Sequence, residues 1–260
     1  NGAQTEVKTL ADGQDMSSSV AIGRVAYGVN FPKRIGSFNF DTKSYKDLGS
    51  AANLECLGVI DGKLHVITSN QGSISLSQVN TENGALTLVA DSGKVANAET
   101  FTNTGDAPFT YDAKNKTILM LGWWYNQAAS EEYSQPITLN IDKKSIALLP
   151  RFNETGKSWG EFFAKGEQLC VTVETIKAND WFDFDIYTLN GQYELDKKLS
   201  TIKEACFGWQ YDAKTDAMYS VYEYDENGEG DHGLCSFDFK TSTLKVMQKN
   251  VNIDNVVLVK

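Results

Sequence analysis

Short runs of alternating apolar and polar residues, separated by turn residues, cover most of the 260-residue chain. Such alternation predicts β-strands with one or both faces buried. Five segments repeat one pattern, in which alternating apolar residues are followed by a turn and a second strand: 35–41, 75–80, 137–142, 186–190 and 234–240. In four of them an Asp or Asn follows the last apolar residue, and such side chains cap tight turns. The pattern predicts five hairpins and almost no helix.

Each hairpin except the first follows two further predicted strands. The turns Tyr111–Lys114 and Tyr211–Lys214 share the sequence Tyr-Asp-Ala-Lys and lie 100 residues apart, and Asp61-Gly62 is a strong two-residue turn signal. The predicted unit is therefore four antiparallel strands. Complete units are expected at 53–93, 107–152, 159–201 and 205–250.

Repeated four-stranded units predict a β-propeller, because a sheet that is apolar on both faces is buried only when neighbouring sheets cover it. We expect one all-β domain over residues 1–260, with five blades. The incomplete first blade would use 20–29 and 35–50, with 256–259 as its innermost strand. Six blades, or a segment of a larger propeller, is the alternative.

Charge and cysteine content exclude several classes of protein. The net charge of −10 disfavours nucleic acid and anionic membranes as partners, and no apolar run is long enough to predict a transmembrane helix. The four cysteines form no Cys-x-x-Cys pair, so a zinc ribbon is not predicted. Buried free cysteines are expected, with one disulfide as the alternative if the chain is exported.

Aromatic residues concentrate in the longest predicted loops and at strand ends, which suggests a binding site. An indole offers a rigid flat face to sugar or aryl rings, and Arg151 beside Lys157 suits a carboxylated ligand. Packing between blades is the alternative explanation for each tryptophan. The predicted ligand-binding residues are Trp123, Trp124, Tyr125, Arg151, Trp159, Asp180, Trp181 and Trp209.

One acidic, glycine-containing segment resembles a calcium loop. Asp225, Asn227 and Asp231 would supply oxygen ligands to Ca²⁺, although the twelfth-position Glu of an EF-hand is missing. A solvated hairpin tip is the alternative. No other cofactor is predicted.

Catalytic motifs are absent from the sequence, and we expect a non-catalytic protein. His65 lies in an alternating strand, and no Ser/His/Asp arrangement can be assembled. Plentiful carboxylates leave a hydrolase or lyase as the alternative, with Glu99, Asp106, Glu161 and Asp180 as candidate acids. A close carboxylate pair with one raised pKa would favour the enzyme, and a ring of tryptophans and amides the binder.

Over almost its whole length the chain resembles β-propeller proteins, without the Trp-Asp dipeptide, kelch double glycine or Asp box of particular subfamilies. High Asn, Asp, Lys, Tyr and Thr with only 4 prolines is similar to exported propeller lipoproteins of Gram-negative gut-type bacteria. That resemblance implies capture of a small molecule or glycan at the axial mouth, with an outer-membrane transporter as partner. It also implies a secreted, periplasmic or surface-anchored protein whose signal has been removed. Lactonase-like chemistry and a protein–protein interaction platform are the remaining alternatives.

Overall fold

The structure is a computed structural model. It describes residues 16–30, 33–70, 73–94, 101–104, 107–126, 131–152, 154, 156–177, 182–203, 205–224, 231–249 and 256–259. Within these ranges all regular secondary structure is β-strand. No helix in the described ranges is long and apolar enough to cross a membrane.

Five antiparallel sheets form the five blades of a β-propeller, each with four strands in chain order, and in blade 3 an extra strand (Phe101–Thr104) pairs with the second of the four (Thr117–Asn126). This confirms the predicted fold class and blade number. The chain divides into two compact units, the first holding blades 1–3 up to Leu149 and the second holding blades 4 and 5 from Pro150. A single domain over residues 1–260 stays a prediction.

The first unit contains thirteen strands among its described residues. Blade 1 consists of β1 (Ser17–Ile22), β2 (Val25–Asn30), β3 (Arg34–Asn39) and β4 (Ser44–Ser50). Blade 2 consists of β5 (Leu54–Ile60), β6 (Lys63–Asn70), β7 (Ser73–Val79) and β8 (Leu86–Lys94). Blade 3 consists of β9 (Phe101–Thr104), β10 (Thr110–Asp112), β11 (Thr117–Asn126), β12 (Glu131–Asn140) and β13 (Ser145–Leu148).

The second unit contains eight strands among its described residues. Blade 4 consists of β14 (Lys157–Lys165), β15 (Gln168–Ile176), β16 (Phe182–Leu189) and β17 (Leu195–Ile202). Blade 5 consists of β18 (Ala205–Asp212), β19 (Ala217–Tyr224), β20 (Asp231–Asp238) and β21 (Thr243–Lys249).

Blade 1 differs from its prediction. The segment 20–29 is not one strand but parts of β1 and β2, because Gly23 adopts a φ of +58° and turns the chain. Blade 1 thereby obtains all four strands from the N-terminal part of the chain, and residues 256–259 are not in a strand. The predicted closure by the C-terminal segment is therefore wrong.

Side chains of Asn and Asp cap the turn between the third and fourth strands in every blade. The side-chain oxygens of Asn39, Asn80, Asn140, Asn190 and Asp238 accept hydrogen bonds from backbone N–H groups two to four residues later. The sequence located this cap correctly in blades 2 and 4. In blades 1 and 3 the capping Asn precedes the predicted Asp by two residues.

One edge strand of each blade lies against the edge strand of the next within each unit: β1 beside β5, β5 beside β10, and β14 beside β18. This position is the innermost one in a blade. Apolar side chains between the sheets form the cores, with Leu57 and Trp124 among the fully buried residues of the first unit and Phe237 of the second. The innermost strands therefore bring adjacent blades of a unit into contact.

Candidate functional site

Three of the predicted binding tryptophans are buried. Trp124 is 1% exposed, Trp209 4% and Trp159 5%. Trp124 stacks on Tyr133 with ring centroids 6.5 Å apart, and its indole N–H points to the Gln135 carbonyl at 3.4 Å. Its ring thus packs inside blade 3, and its role in binding stays a prediction.

Trp159 secures the segment that leads into blade 4. Its indole nitrogen donates to the Pro150 carbonyl at 2.9 Å, and its ring lies between Phe152 and Phe162. Trp209 packs in the core of blades 4 and 5, and its indole N–H is buried without a hydrogen-bond partner among the described residues. Both rings are positioned as core side chains.

Trp123 and Tyr125 are the exposed aromatic residues of the predicted set, at 40% and 37%. The sequence predicted a loop here, but β11 continues to Asn126, because residues alternate between a buried face with Trp124 and an exposed face. Beside Trp123 the strand pairs with β12 on one edge and β9 on the other. Trp123 and Tyr125 therefore form an aromatic platform on one face of a paired strand, about 7 Å apart along it.

The other predicted binding and metal residues contribute no described site. Arg151 is exposed. Asp180, Trp181, Asp225 and Asn227 lie outside the described residues, as do the candidate acids Glu99 and Asp106, and Asp231 is described only as the backbone that begins β20. Within the described part of the chain no group of three His, Cys, Asp or Glu side chains could hold a metal ion. The calcium site stays a prediction.

Glu161 is the one candidate acid that the structure describes, and it joins two innermost strands. One carboxylate oxygen accepts the N–H of Gly208 at 2.7 Å and the other accepts the N–H of Trp209 at 2.9 Å. Both strands have a register irregularity here, and Gly208 adopts a φ of +69°, which presents two consecutive N–H groups to the carboxylate. Desolvation raises the pKa of Glu161, and the two N–H groups oppose that rise.

Glu174 on β15 is a second acid that is partly buried, and the sequence reasoning missed it. The Ser158 hydroxyl donates to its carboxylate at 3.1 Å. Desolvation raises the pKa of Glu174 to about 7; Ser158 lowers it and the nearby Glu161 raises it. The available signal was a charged residue in β15 shortly after the apolar residues Cys170, Val171 and Val173.

The two acids form a close pair but not a pair of free carboxylates. Both oxygens of Glu161 are occupied by backbone donors, which fixes the side chain and limits its use as a base or nucleophile. Glu174 keeps one oxygen without a hydrogen bond to Ser158 and can hold a proton near neutral pH. Chemically, Glu174 is therefore the better proton donor.

His65 and the four cysteines are the other titratable groups that the sequence analysis considered. His65 is buried, and its Nδ1 lies 3.0 Å from the Lys63 carbonyl oxygen; burial lowers the pKa of His65, which keeps it neutral. All four cysteines are buried, and none of them forms a disulfide. The sulfurs of Cys206 and Cys235 are 3.7 Å apart, but β19 separates their strands, so their Cα atoms are too far apart for a disulfide.

The first unit also contains a polar groove of about 450 Å³ at the turns that follow the first and third strands. Tyr27 and Leu64 line it together with Lys63 and Glu82, whose charges oppose each other. The platform lies toward the opposite ends of the strands, since Trp123 and Tyr125 follow the turn-proximal half of β11. Tyr27 is the one aromatic residue among the described residues that line the groove, and it is only 7% exposed.

No family model and no curated protein matches the chain. A DUF4784 family protein from Bacteroides caccae superposes with a TM-score of 0.60 at 13% identity, over 94% of this chain and 66% of that one. TolB from Acinetobacter baumannii gives 0.57 at 10% identity, over 89% and 54%. An oligogalacturonate lyase in complex with manganese gives 0.54 at 13% identity, over 90% of this chain and only 64% of the lyase. At these identities the likeness shows the propeller fold alone.

Proposed function

We propose that this protein is a non-catalytic propeller that binds a glycan through the aromatic platform of Trp123 and Tyr125. The observation that supports this proposal is the exposure of two large aromatic side chains on one face of a strand that is paired on both edges. Aromatic rings stack on the apolar faces of sugar rings, and a fixed platform binds with little loss of conformational entropy. Two rings about 7 Å apart suit an extended oligosaccharide better than a single sugar.

The charge of the chain favours a neutral glycan. A net charge of −10 repels polyanions at a distance and disfavours their association. A neutral β-glucan is therefore expected to bind more tightly than an oligogalacturonate, even though a lyase for the latter shares the fold. This preference is a property of the whole chain and does not depend on the platform.

The test is affinity electrophoresis or calorimetry with a neutral β-glucan oligosaccharide and with oligogalacturonate. The double substitution Trp123→Ala and Tyr125→Ala should weaken glucan binding at least tenfold and shift the melting temperature by only a few degrees, since both side chains are partly solvated. Leu88→Ala is the matched control, because Leu88 is a 61% exposed apolar residue of β8 in the same unit. Equal binding by the double variant would contradict the platform as the site.

Capture at the cell surface is part of the same proposal. The compositional similarity to exported propeller lipoproteins supports a surface or periplasmic location and delivery of the glycan to an outer-membrane transporter. Fractionation of cells that produce the full-length tagged protein tests this point. Recovery of the protein from the cytoplasm alone would overturn the location without affecting the platform.

An enzyme is the second candidate, and Glu174 is the observation that favours it. A carboxyl group with a pKa of about 7 is protonated often enough at neutral pH to act as a general acid. The assay is release of new reducing ends or unsaturated products from both oligosaccharides. Our proposal predicts no turnover, whereas turnover that is lost in Glu174→Gln would establish an enzyme.

A protein–protein platform would need a broad apolar face. The large hydrophobic side chains exposed among the described residues are Leu86, Leu88, Trp123, Tyr125 and Ile176. They belong to three different strands, β8, β11 and β15, and form two short pairs and one single residue. This distribution favours local contacts with a ligand.

A further inference from the structure

Two charged side chains of β14 join it to β18: Lys165 donates to Tyr211 and Asp216, and Glu161 accepts hydrogen bonds from the backbone. Glu161 belongs to blade 4 and accepts two consecutive N–H groups of blade 5. Its own backbone N–H donates to the Thr172 hydroxyl at 2.8 Å, which fixes the irregular part of β14 on β15. Hydrogen bonds therefore fix Glu161 both at its carboxylate and at its backbone. We call this position of the carboxylate its seat.

Glu174 lies beside this seat. A Cβ atom built on Gly160, the residue before Glu161, would lie 3.2 Å from a carboxylate oxygen of Glu174 and 2.4 Å from the Thr172 hydroxyl. The glycine therefore leaves the space in which the second carboxyl group sits. Two acids from adjacent strands of blade 4 share one partly desolvated region.

Among the residues that the structure describes, no cation acts on the charge of Glu174. On β14, Lys157 pairs with Glu154 and Lys165 with Asp216. On β16, Asp185 pairs with Lys198, and Asp183 pairs with Lys177, which follows β15. On β18, Asp212 caps the turn that follows its own strand. The charge that acts on Glu174 is that of Glu161, and it is repulsive.

We propose that the junction between β14 and β18 responds to pH, and we call it the latch. Glu161 holds the two N–H groups of β18 firmly while Glu161 and Glu174 share one proton. It holds them less firmly once both acids are ionised. The two carboxyl groups titrate as a coupled pair. Loss of the shared proton places two negative charges close together. The repulsion is relieved when the hydrogen bonds from Gly208 and Trp209 to Glu161 open more often. The latch is therefore closed below neutral pH and loosens above it.

Hydrogen exchange of the Gly208 and Trp209 amides measures the latch directly, because Glu161 is their acceptor. We expect their protection factors, corrected for the intrinsic rate, to fall at least tenfold between pH 6 and pH 8. The Glu174→Gln variant should show the same protection at both pH values. The Ser158→Ala variant should move the transition to higher pH, because the Ser158 hydroxyl stabilises the ionised form of Glu174.

Two controls separate the latch from general loosening. The Leu57 amide donates to the Ser18 hydroxyl oxygen and the Phe109 amide to the Leu57 carbonyl, so both report on neutral junctions and should not respond. The Thr172 amide reports on the hydrogen bonds between the strands within blade 4. Equal protection of Gly208 and Trp209 at pH 6 and pH 8, or pH dependence that survives in Glu174→Gln, would overturn the proposal.

Discussion

The junctions between innermost strands are built differently in the two units. In the first unit, Ser18 of β1 accepts the Leu57 N–H at 3.4 Å, and Leu57 accepts the Phe109 N–H at 3.0 Å. In the second unit, the carboxylate of Glu161 accepts two N–H groups at 2.7 and 2.9 Å. A charged acceptor forms shorter and stronger hydrogen bonds than a hydroxyl or a carbonyl. The same fold thus joins some blades with neutral groups and others with a group that responds to pH.

A second contrast concerns the Ser–Glu pairs that link the first two strands of blades 2 and 4. In blade 2, Ser69 donates to Glu55 at 2.5 Å, and Lys33 lies 3.8 Å from the other oxygen of Glu55. In blade 4, Ser158 donates to Glu174, whose charged neighbour is another acid. The Glu55 carboxylate therefore has a lysine partner, whereas the charged neighbour of Glu174 is an acid that repels it.

Removing the carboxylate of the charged junction should have the largest effect. Glu161→Ala leaves two backbone N–H groups without their acceptor, and we expect a loss of about 3 kcal/mol in the free energy of unfolding at pH 5. Ser18→Ala removes one long hydrogen bond and should lose about 1 kcal/mol or less. Urea unfolding of both variants measures the difference. Equal losses in the two variants would show that the two junctions do not differ in strength. Glu161→Gln keeps one acceptor, so its loss in the free energy of unfolding should lie between those of Glu161→Ala and Ser18→Ala.

Neutralising Glu174 should stabilise the protein, but only at high pH. Its pKa is raised from 4.5 to about 7 in the folded state, so folding disfavours the ionised form. The stability associated with the protonated form is fully present below pH 4.5 and is lost as pH rises through about 7. Glu174→Gln should therefore raise the free energy of unfolding by up to about 3 kcal/mol at pH 8 and change it little at pH 4.

The control for that experiment is Glu55→Gln, which removes a carboxylate with a lysine partner and should not stabilise at pH 8. His65 contributes to the pH dependence of stability with the opposite sign. Its lowered pKa means that the unfolded state binds the proton more readily, so its contribution to stability increases with pH. A Glu174→Gln variant that is less stable than the wild type at pH 8 would contradict the sign of the shift.

The smallest expected effect concerns the backbone that presents the two N–H groups. Gly208→Ala should destabilise by about 1 kcal/mol, because its φ of +69° is unfavourable for residues with a Cβ atom. Gly208→Asn should lose less, since Asn tolerates this region. Thermal unfolding of the two variants tests the comparison. No loss in Gly208→Ala would mean that the bulge adapts and is not a fixed seat for Glu161.

The architecture was predictable because it rests on local periodicity repeated five times. Alternation, turn residues and the 100-residue spacing of the Tyr-Asp-Ala-Lys turns are visible in one sequence. The first blade was misassigned at one glycine turn, since Gly23 divides an apolar stretch that reads as one strand. Such turns depend on φ, which a hydrophobicity pattern does not report.

The site was less predictable, because burial depends on partners that are distant in the chain. Trp123 and Trp124 are adjacent in sequence and point to opposite faces, yet residue type alone predicts the same role for both. Glu161 was named as a candidate acid, but its acceptor role depends on Gly208 and Trp209, almost 50 residues later. Glu174 was missed because a charge in a strand marks an unusual position without identifying its neighbours, Ser158 and Glu161.

The most direct measurement of this account is the titration of the glutamate side chains by ¹³C NMR, with the Glu161→Gln and Glu174→Gln variants used for assignment. The account predicts that the Glu174 carboxyl group titrates near pH 7, and that its titration moves to lower pH when Glu161 is neutralised. Titration of every glutamate near the ordinary value of about 4.3 would contradict it.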